Sequence, residues 1–305
     1  MRAAVPNSPV CRLLLGLLAV TWLAGSAAAA DGKAAAILAE ARKALGGEKL
    51  EKLQGLAVEG TYRRLMGERE MSGDLELAFQ LPDKYLRMET IGLDPSNPMR
   101  RFSGFNGTTL LESTSGGGGG MMFRTMAGPG PDGRELTPEE RERRRLRAVT
   151  RDFGCLLVVL TAGSTPSFPV EYTWTGVAES DDGKADVLEV KGPDDFSARL
   201  FVDQATHLPL MLSYREPMPR FQQFRGTAGQ PPSREEIEKR MAEMRAAGPP
   251  PLADVQLFVA DHEKVNGVLL PRTVRRAVDG KTVEELQLTK LQVNPAFKAD
   301  KFEKK

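Results

Sequence analysis

The feature that most constrains the fold is a series of short segments in which apolar and polar residues alternate, separated by turn signals. Three such segments follow one another in the middle of the chain: residues 187–191, 198–203 and 208–214. In the third, the apolar residues recur at every second position, which in a β-strand places them on one face: Leu208, Leu210, Leu212 and Tyr214. The same pattern returns over 56–91 and 255–293. The sequence therefore predicts an α+β fold with one large, curved antiparallel sheet, interrupted by a few helices.

The first 30 residues have the parts of a secretory signal. Arg2 and Arg12 supply positive charge, residues 13–23 form an apolar core too short for a comfortable membrane span, and three alanines end at Ala30. A lipoprotein signal would need a cysteine where Ser26 stands. We therefore predict an exported, periplasmic protein that is soluble after cleavage near Ala30. An uncleaved N-terminal anchor is the alternative.

Charge and cysteine content narrow the classes of partner. The formal net charge is +1, and loss of the two signal arginines lowers it to −1, so no basic face for nucleic acid is expected. The mature chain keeps one cysteine, Cys155, which excludes an intramolecular disulfide; its apolar setting predicts a core residue. His207 and His262 have no catalytic motif around them and are predicted to be surface residues.

Residues 31–305 are predicted to form a single domain with two helical stretches and two insertions. The helices are predicted over 33–53 and from Thr137 to about Gly163; the second is basic at first and then turns an apolar face, including Phe153, to the sheet. The insertions are 113–136, which is rich in glycine and methionine, and 216–253, a Pro-flanked helix that is either loosely packed, a lid or a docking element. The methionines have no cysteine or histidine nearby, so no metal site is predicted.

Several motifs resemble the outer-membrane lipoprotein carrier superfamily, the LolA-like and LolB-like proteins. The shared motifs are the Leu81-Pro82-Asp83-Lys84-Tyr85 step, the Asn106-Gly107-Thr108 hairpin, LFVDQATHLPLMLSY at 200–214 and NPAFKADKFEKK at 294–305. The resemblance covers most of residues 33–302 apart from the insertions. It implies an unclosed (half) β-barrel with helices covering the concave face and a hydrophobic cavity between them. Members of the superfamily hold lipoprotein acyl chains or other lipids, and some sense envelope stress.

A half-barrel of this kind needs an apolar partner on its concave side. The residues expected to line it and bind cargo share an apolar, alternating context: Leu75, Leu77, Phe79, Leu86, Met88, Leu210 and Leu212. Alternation identifies a buried face but not what covers it. These residues are therefore either a cargo-binding wall or an ordinary core beneath the helix at 146–160.

The sequence contains no metal-ligand spacing, nucleophile elbow or phosphate loop, and acidic pairs such as Glu284-Glu285 are expected to be solvated. We therefore predict no enzyme activity and no cofactor. The predicted function is a non-enzymatic periplasmic binding protein or carrier for a lipid or an acylated, lipoprotein-like cargo. The alternative is an envelope interaction or regulatory module with a filled core and a protein partner. The oligomeric state is left open.

Overall fold

The computed structural model describes residues 27–66, 69–91, 98–116, 136–181, 183–217 and 251–303, with four isolated positions between 235 and 246. The helices within these residues are α1 (Ala27–Leu45), α2 (Glu48–Glu51), α3 (Pro138–Thr161) and a short C-terminal 3-10 helix (Ala299–Phe302). The strands are β1 (Gly55–Met66), β2 (Arg69–Gln80), β3 (Lys84–Ile91), β4 (Met99–Asn106), β5 (Thr109–Ser115), β6 (Glu171–Ser180), β7 (Gly183–Lys191), β8 (Ser197–Asp203), β9 (Pro209–Pro217), β10 (Leu252–Val265), β11 (Val268–Val278) and β12 (Lys281–Val293).

All twelve described strands belong to one antiparallel sheet. Its order is β5-β4-β3-β2-β1-β12-β11-β10-β9-β8-β7-β6, so the first and last described strands pair with each other in the interior of the sheet. Val58 on β1, for example, lies opposite Leu291 on one side and Leu77 on the other. β5 and β6 are the two edges and do not pair with each other, so the sheet does not close. The predicted fold class, an antiparallel sheet forming an unclosed half-barrel, is confirmed.

The sheet curves strongly around α3. Strands β3 and β11 are four positions apart in the sheet, which would separate them by about 19 Å in a flat sheet with a strand spacing of about 4.8 Å. Tyr85 on β3 and Arg276 on β11 nevertheless both bind the carboxylate of Asp152 on α3, at 3.1 and 2.8 Å. The face towards α3 is therefore the concave face, and the other is the outer face.

Two helices cover the concave face. α1 packs against β6 and β11, and α3 packs against β4, β5, β9 and β10. The start of α3 is fixed by a capping box between Thr137 and Glu140, followed by proline at the first helical position. Its end is fixed from α1, because the Arg42 guanidinium donates two hydrogen bonds, of 2.8 and 3.0 Å, to the Ala162 carbonyl. A cation at this end also complements the helix dipole.

The helices and insertions agree with the sequence in outline and differ at their bounds. The first predicted helix breaks at Gly46 and Gly47, where φ is 145° and 53°, and α2 follows the break. Strands extend into both predicted insertions. β5 ends at Ser115, within the first insertion, while β9 ends at Pro217 and β10 begins at Leu252, both within the second. Residues 117–135 and most of 218–250 lie outside the described residues. The four isolated positions, 235, 239, 242 and 246, are helical and exposed.

The predicted signal segment falls largely outside the described residues, which begin at residue 27. α1 begins at Ala27, a few residues before the predicted cleavage position. In the part of the chain that the structure describes, no helix combines the length and apolarity needed to cross a membrane.

Candidate functional site

Four of the seven predicted lining residues come together on the concave face. Leu75, Leu77 and Phe79 alternate along β2, and Leu212 approaches from β9; each is at most 3% exposed. All four belong to the same apolar core as the second half of α3. The structure therefore builds a continuous apolar wall across both halves of the half-barrel.

The structure does not bring Leu86 and Met88 to this wall. Residues directly opposite each other in an antiparallel pair share a face, and Leu86 pairs with Ala78 while Met88 pairs with Glu76. Leu86 belongs to a separate outer-face cluster with Phe302 of the C-terminal 3-10 helix. Alternation gives two faces for each strand, but only the register between strands decides which one faces inward.

Leu210 is also separate from the wall, being 39% exposed. The pairing of β8 with β9 shifts between Phe201 and Val202, so Pro209 lies opposite Val202 and Met211 lies opposite Phe201. Leu210 is the extra residue of this bulge, and a bulge changes the side on which the following side chains lie. The regular alternation predicted from Leu208 onwards therefore holds only from Leu212.

An aromatic side chain of α3 covers the wall. Phe153 is fully buried, with its ring centroid 6.0 Å from Phe79, 5.7 Å from Tyr85 and 5.3 Å from Phe105. Rings at these separations contribute about 0.5–1.5 kcal/mol per pair beyond the area they bury. The first half of α3 is mostly exposed, so the helix is anchored mainly through its second half.

One end of the half-barrel, here called the mouth, collects buried charges. The strands that finish there are β1, β3, β5, β7, β9 and β11, and the others begin there. The first part of the charged cluster joins Arg64 and Arg87 to Glu89 and Glu284. Arg87 lies 2.8 Å from both carboxylates, and Arg64 approaches them at 2.6 and 2.5 Å. Both glutamates are buried, at 3% and 8% exposure.

The arginines keep these glutamates ionised. Burial by itself would raise the pKa of Glu284, but the opposing charges of Arg87, Arg64 and Arg276 lower it to about 2. Burial likewise opposes ionisation of Glu89, yet Arg87 and Arg64 leave its pKa below the ordinary value. Burying an ion pair this deeply carries a desolvation penalty, and removing one partner strongly destabilises the folded protein because the other charge is left buried and unpaired.

The second part of the cluster connects α3 to the sheet. Asp152 accepts hydrogen bonds from Arg276 and from the Tyr85 hydroxyl and lies 4.0 Å from Arg87. Glu216 at the end of β9 accepts a 3.1 Å hydrogen bond from Arg151 and lies 3.6 Å from Arg276. Burial, and then the Asp152 charge, raises the pKa of Tyr85 well above its ordinary value, so the phenol remains a hydrogen-bond donor.

Two buried donors near the mouth have no hydrogen-bond partner among the described residues. They are the Tyr62 hydroxyl and Arg276 Nε. Buried polar groups are nearly always paired, so each such group requires an explanation.

Sequence reasoning missed this cluster, and for Glu284 the expectation was wrong. Glu284 was expected to be solvated with Glu285, but only Glu285 faces the outer side, where it accepts a hydrogen bond from Arg63. A local signal existed, since Glu284 is in phase with Leu286, which is buried. A charged residue in phase with an apolar strand face is a sign of a buried charge.

The remaining candidate groups are the cysteine, the two histidines and any acidic clusters among the described residues. These residues contain no cluster of three or more histidine, cysteine or acidic side chains that could hold a metal. Cys155 is buried as predicted, and burial raises the pKa of its thiol to about 12. His207 is exposed, whereas His262 is only partly exposed, and burial lowers its pKa. The His262 side chain is partly buried beside β10, and its Nε2 has no hydrogen-bond partner among the described residues.

The fold and the site together define the class of protein: an open antiparallel half-barrel with a helix over an apolar concave face and a paired ionic cluster at its mouth. Similar solved structures cover most of the chain at low identity. A putative outer membrane lipoprotein-sorting protein domain from Vibrio parahaemolyticus is 11% identical over 90% of this chain and 97% of its own, with a TM-score of 0.46. A LolA superfamily protein from Nitrosomonas europaea is 12% identical over 89% and 97%, with a TM-score of 0.44.

A DUF1329 family protein from Desulfovibrio piger is 11% identical over 88% of this chain and 97% of its own, also with a TM-score of 0.44. No protein-family model matches the sequence, and a search of curated proteins found no match.

Proposed function

We propose that this chain is a non-enzymatic, exported binding protein that holds a lipid, or the acyl chain of a lipoprotein, against the concave face of the half-barrel. The observation that carries the proposal is the way this face is covered. α3 is not a member of the sheet and reaches it through side chains such as Phe153 and Asp152. Moving α3 would therefore expose an apolar wall without breaking the strand pairing.

An acyl chain can replace the contacts that α3 makes. Burial of one methylene group contributes about 0.8 kcal/mol, so a chain of about 14 methylenes would contribute on the order of 10 kcal/mol. This is comparable with the burial of several side chains of the size of Phe153 and Leu157. An acyl chain could therefore offset the loss of several of the apolar contacts that α3 makes.

The proposed location is the periplasm, after cleavage near Ala30. The contacts that position the start of α1 come from residues that the mature chain would retain. Asp31 accepts a 3.2 Å hydrogen bond from Thr173, and the Lys33 ammonium lies 3.4 Å from the centre of the Trp174 ring. Cleavage at the predicted position would therefore leave the packing of α1 on β6 in place.

The alternative is an envelope interaction or regulatory module without cargo. The observation in its favour is that Phe153 already fills the space over Phe79, Tyr85 and Phe105. In this alternative the partner would be an envelope protein.

Native mass spectrometry of the mature chain from Asp31, followed by solvent extraction, tests the proposal. Copurified lipid or acyl peptide is expected. A photoreactive fatty acid is then expected to label Leu77 and Leu212 on the wall, and not Leu86 on the outer face.

Leu77→Ala and Leu86→Ala form a matched pair, because both side chains are buried leucines on adjacent strands that face opposite sides. Only Leu77→Ala is expected to weaken probe binding. A clean mass with no bound molecule, together with no uptake of the fatty acid, would exclude the cargo function and leave the interaction module.

A further inference from the structure

The concave face presents a ready-made set of polar groups for one carboxylate, beside the charged cluster at the mouth. Arg276 Nη2 lies 2.8 Å from Asp152 Oδ1, the Tyr85 hydroxyl lies 3.1 Å from Oδ2, and Arg87 Nη1 lies 4.0 Å from Oδ2. The two hydrogen-bond donors, Arg276 and Tyr85, and the nearby charge of Arg87 come from β3 and β11, whereas the carboxylate comes from α3. The sheet thus forms an anion receptor, and the chain's own helix fills it.

This receptor would be unfavourable if it were left empty. Tyr85 is 1% exposed, and the side chains of Arg87 and Arg276 are 12% and 22% exposed. Leaving a buried donor unpaired is costly, more so when the donor is charged. Arg276 Nε is in addition a buried donor that no described group uses, including Asp152. Movement of α3 away from the sheet takes Asp152 from the Tyr85 hydroxyl and from Arg276, which then has Glu216 at 3.6 Å, whereas Arg87 keeps Glu89 and Glu284 at 2.8 Å. An incoming anion would restore the hydrogen bonds of Tyr85 and Arg276.

The receptor adjoins the apolar wall directly. The Tyr85 ring that carries the donating hydroxyl lies 5.0 Å from Phe79 and 5.7 Å from Phe153, centroid to centroid. On α3, Asp152 comes immediately before Phe153, so the helix places a carboxylate on the receptor and an apolar group on the wall. An amphiphile with an anionic head has the same two parts in the same order.

We infer that Asp152 occupies the place of the cargo's anionic headgroup. When an acyl ligand displaces α3, a carboxylate or phosphate at the head of that ligand binds between Arg276, Arg87 and Tyr85. The inference rests on the proposed function and names its ligand class, an anionic amphiphile. Glu216 is the internal competitor, since it lies 3.6 Å from Arg276 Nη1 and is released from Arg151 when α3 moves.

Two fluorescent probes test this inference on the full mature protein. They have the same acyl chain, and one is a fatty acid while the other is the corresponding fatty alcohol. A charge-assisted hydrogen-bond pair is expected to favour the acid by about ten-fold or more in Kd. Asp152→Asn keeps the shape but removes the internal anion that holds α3 closed, so both probes are expected to bind more tightly, with the acid-to-alcohol ratio still set by the receptor. Arg276→Gln is expected to abolish the preference for the acid.

Arg147→Gln is the matched control on the same helix, because Arg147 is exposed and pairs with Asp194 outside the mouth cluster. It is expected to leave the ratio unchanged. The wild-type comparison of the two probes keeps the inference testable if a cluster variant does not fold. Binding of acetate and of inorganic phosphate, each added in the absence of an acyl probe, shows whether the receptor binds free anions.

The outcomes separate this inference from the proposed function. If neither probe binds, the proposed function itself fails. If the alcohol binds as well as the acid, or if Arg276→Gln leaves the preference for the acid intact, the carrier function stands and the headgroup assignment is overturned. If millimolar acetate or phosphate removes the tighter binding of the acid while its acyl chain stays bound, the receptor is supported. If these ions bind to a protein that takes up no acyl chain, the assignment is overturned.

Discussion

Truncation of Phe153 probes the feature on which the proposed function depends, the covering of the apolar wall by α3. Phe153 is fully buried and has three aromatic neighbours, Phe79, Tyr85 and Phe105. Phe→Ala in a core costs about 3–5 kcal/mol, and the lost ring contacts place this site near the upper end of that range. We therefore expect Phe153→Ala to lower the free energy of unfolding by about 4–5 kcal/mol.

The matched control is Phe302→Ala. Phe302 is also buried, at 3% exposure, but it lies on the outer face in a small cluster with Leu86 and Phe297. The C-terminal segment can shift to fill part of the space, so a smaller loss of about 1–2 kcal/mol is expected. Phe153→Ala alone is expected to create an apolar cavity that binds a small aromatic molecule such as benzene.

Urea unfolding followed by circular dichroism measures both losses, with the m value checking that the transition itself is unchanged. Thermal unfolding with and without benzene measures the cavity. A loss at Phe153 below about 1 kcal/mol, or one equal to the loss at Phe302, with unchanged m values, would refute the reasoning that Phe153 fills the concave face.

Three further predictions concern the mouth, the thiol and the seating of α3. The pKa of Glu284 is about 2 in the folded protein, against an ordinary value of 4.5. Its ionised form therefore adds up to about 3 kcal/mol to the free energy of unfolding above pH 4.5, and this contribution is lost as the pH falls towards 2. Glu284→Gln is expected to flatten this part of the plot of stability against pH. Cys155, with its pKa raised by burial to about 12, is expected to resist a thiol reagent until the protein unfolds. A Cβ at Gly154 would lie 2.1 Å from the Phe168 ring, so Gly154→Ala is expected to cost about 1–3 kcal/mol in urea unfolding.

Each of these has a comparison that isolates the cause. Glu285→Gln alters the neighbouring outer-face residue and is expected to leave the steep acid loss in place, and an equal flattening by both variants would contradict the role of Glu284. Rapid labelling of Cys155 in the folded protein would contradict its burial. Gly47→Ala is a poor control because its φ is 53°; Gly32→Ala on α1 meets nothing within 4 Å and is expected to be neutral or slightly stabilising.

The sequence predicted the fold well where the relevant interactions are local. Alternation marked the strands, the capping residues marked the start of α3, and paired glycines marked the break between α1 and α2. The apolar setting of Cys155 also predicted its burial correctly. These features depend on residues within a few positions of one another, which a single sequence displays directly.

The predicted lining set shows where local information ends. Leu77 and Leu86 have equally apolar, alternating surroundings, yet the register between β2 and β3 places them on opposite faces. Leu210 does not lie on the concave face, because the pairing of β8 with β9 contains a bulge at this position. Neither the register nor the bulge is determined by the strand's own pattern, because both depend on which partner the strand meets.

The sequence by itself determined that this chain forms strands with one apolar face and a helix able to cover them. Only the tertiary structure decided that Arg64, Arg87, Asp152, Arg276 and Glu284 meet at one end. They are brought together because β1 pairs with β12 and because the sheet curves around α3. The physical reason is that each charge is tolerated in the interior only beside its opposite, and the opposite comes from a distant part of the chain.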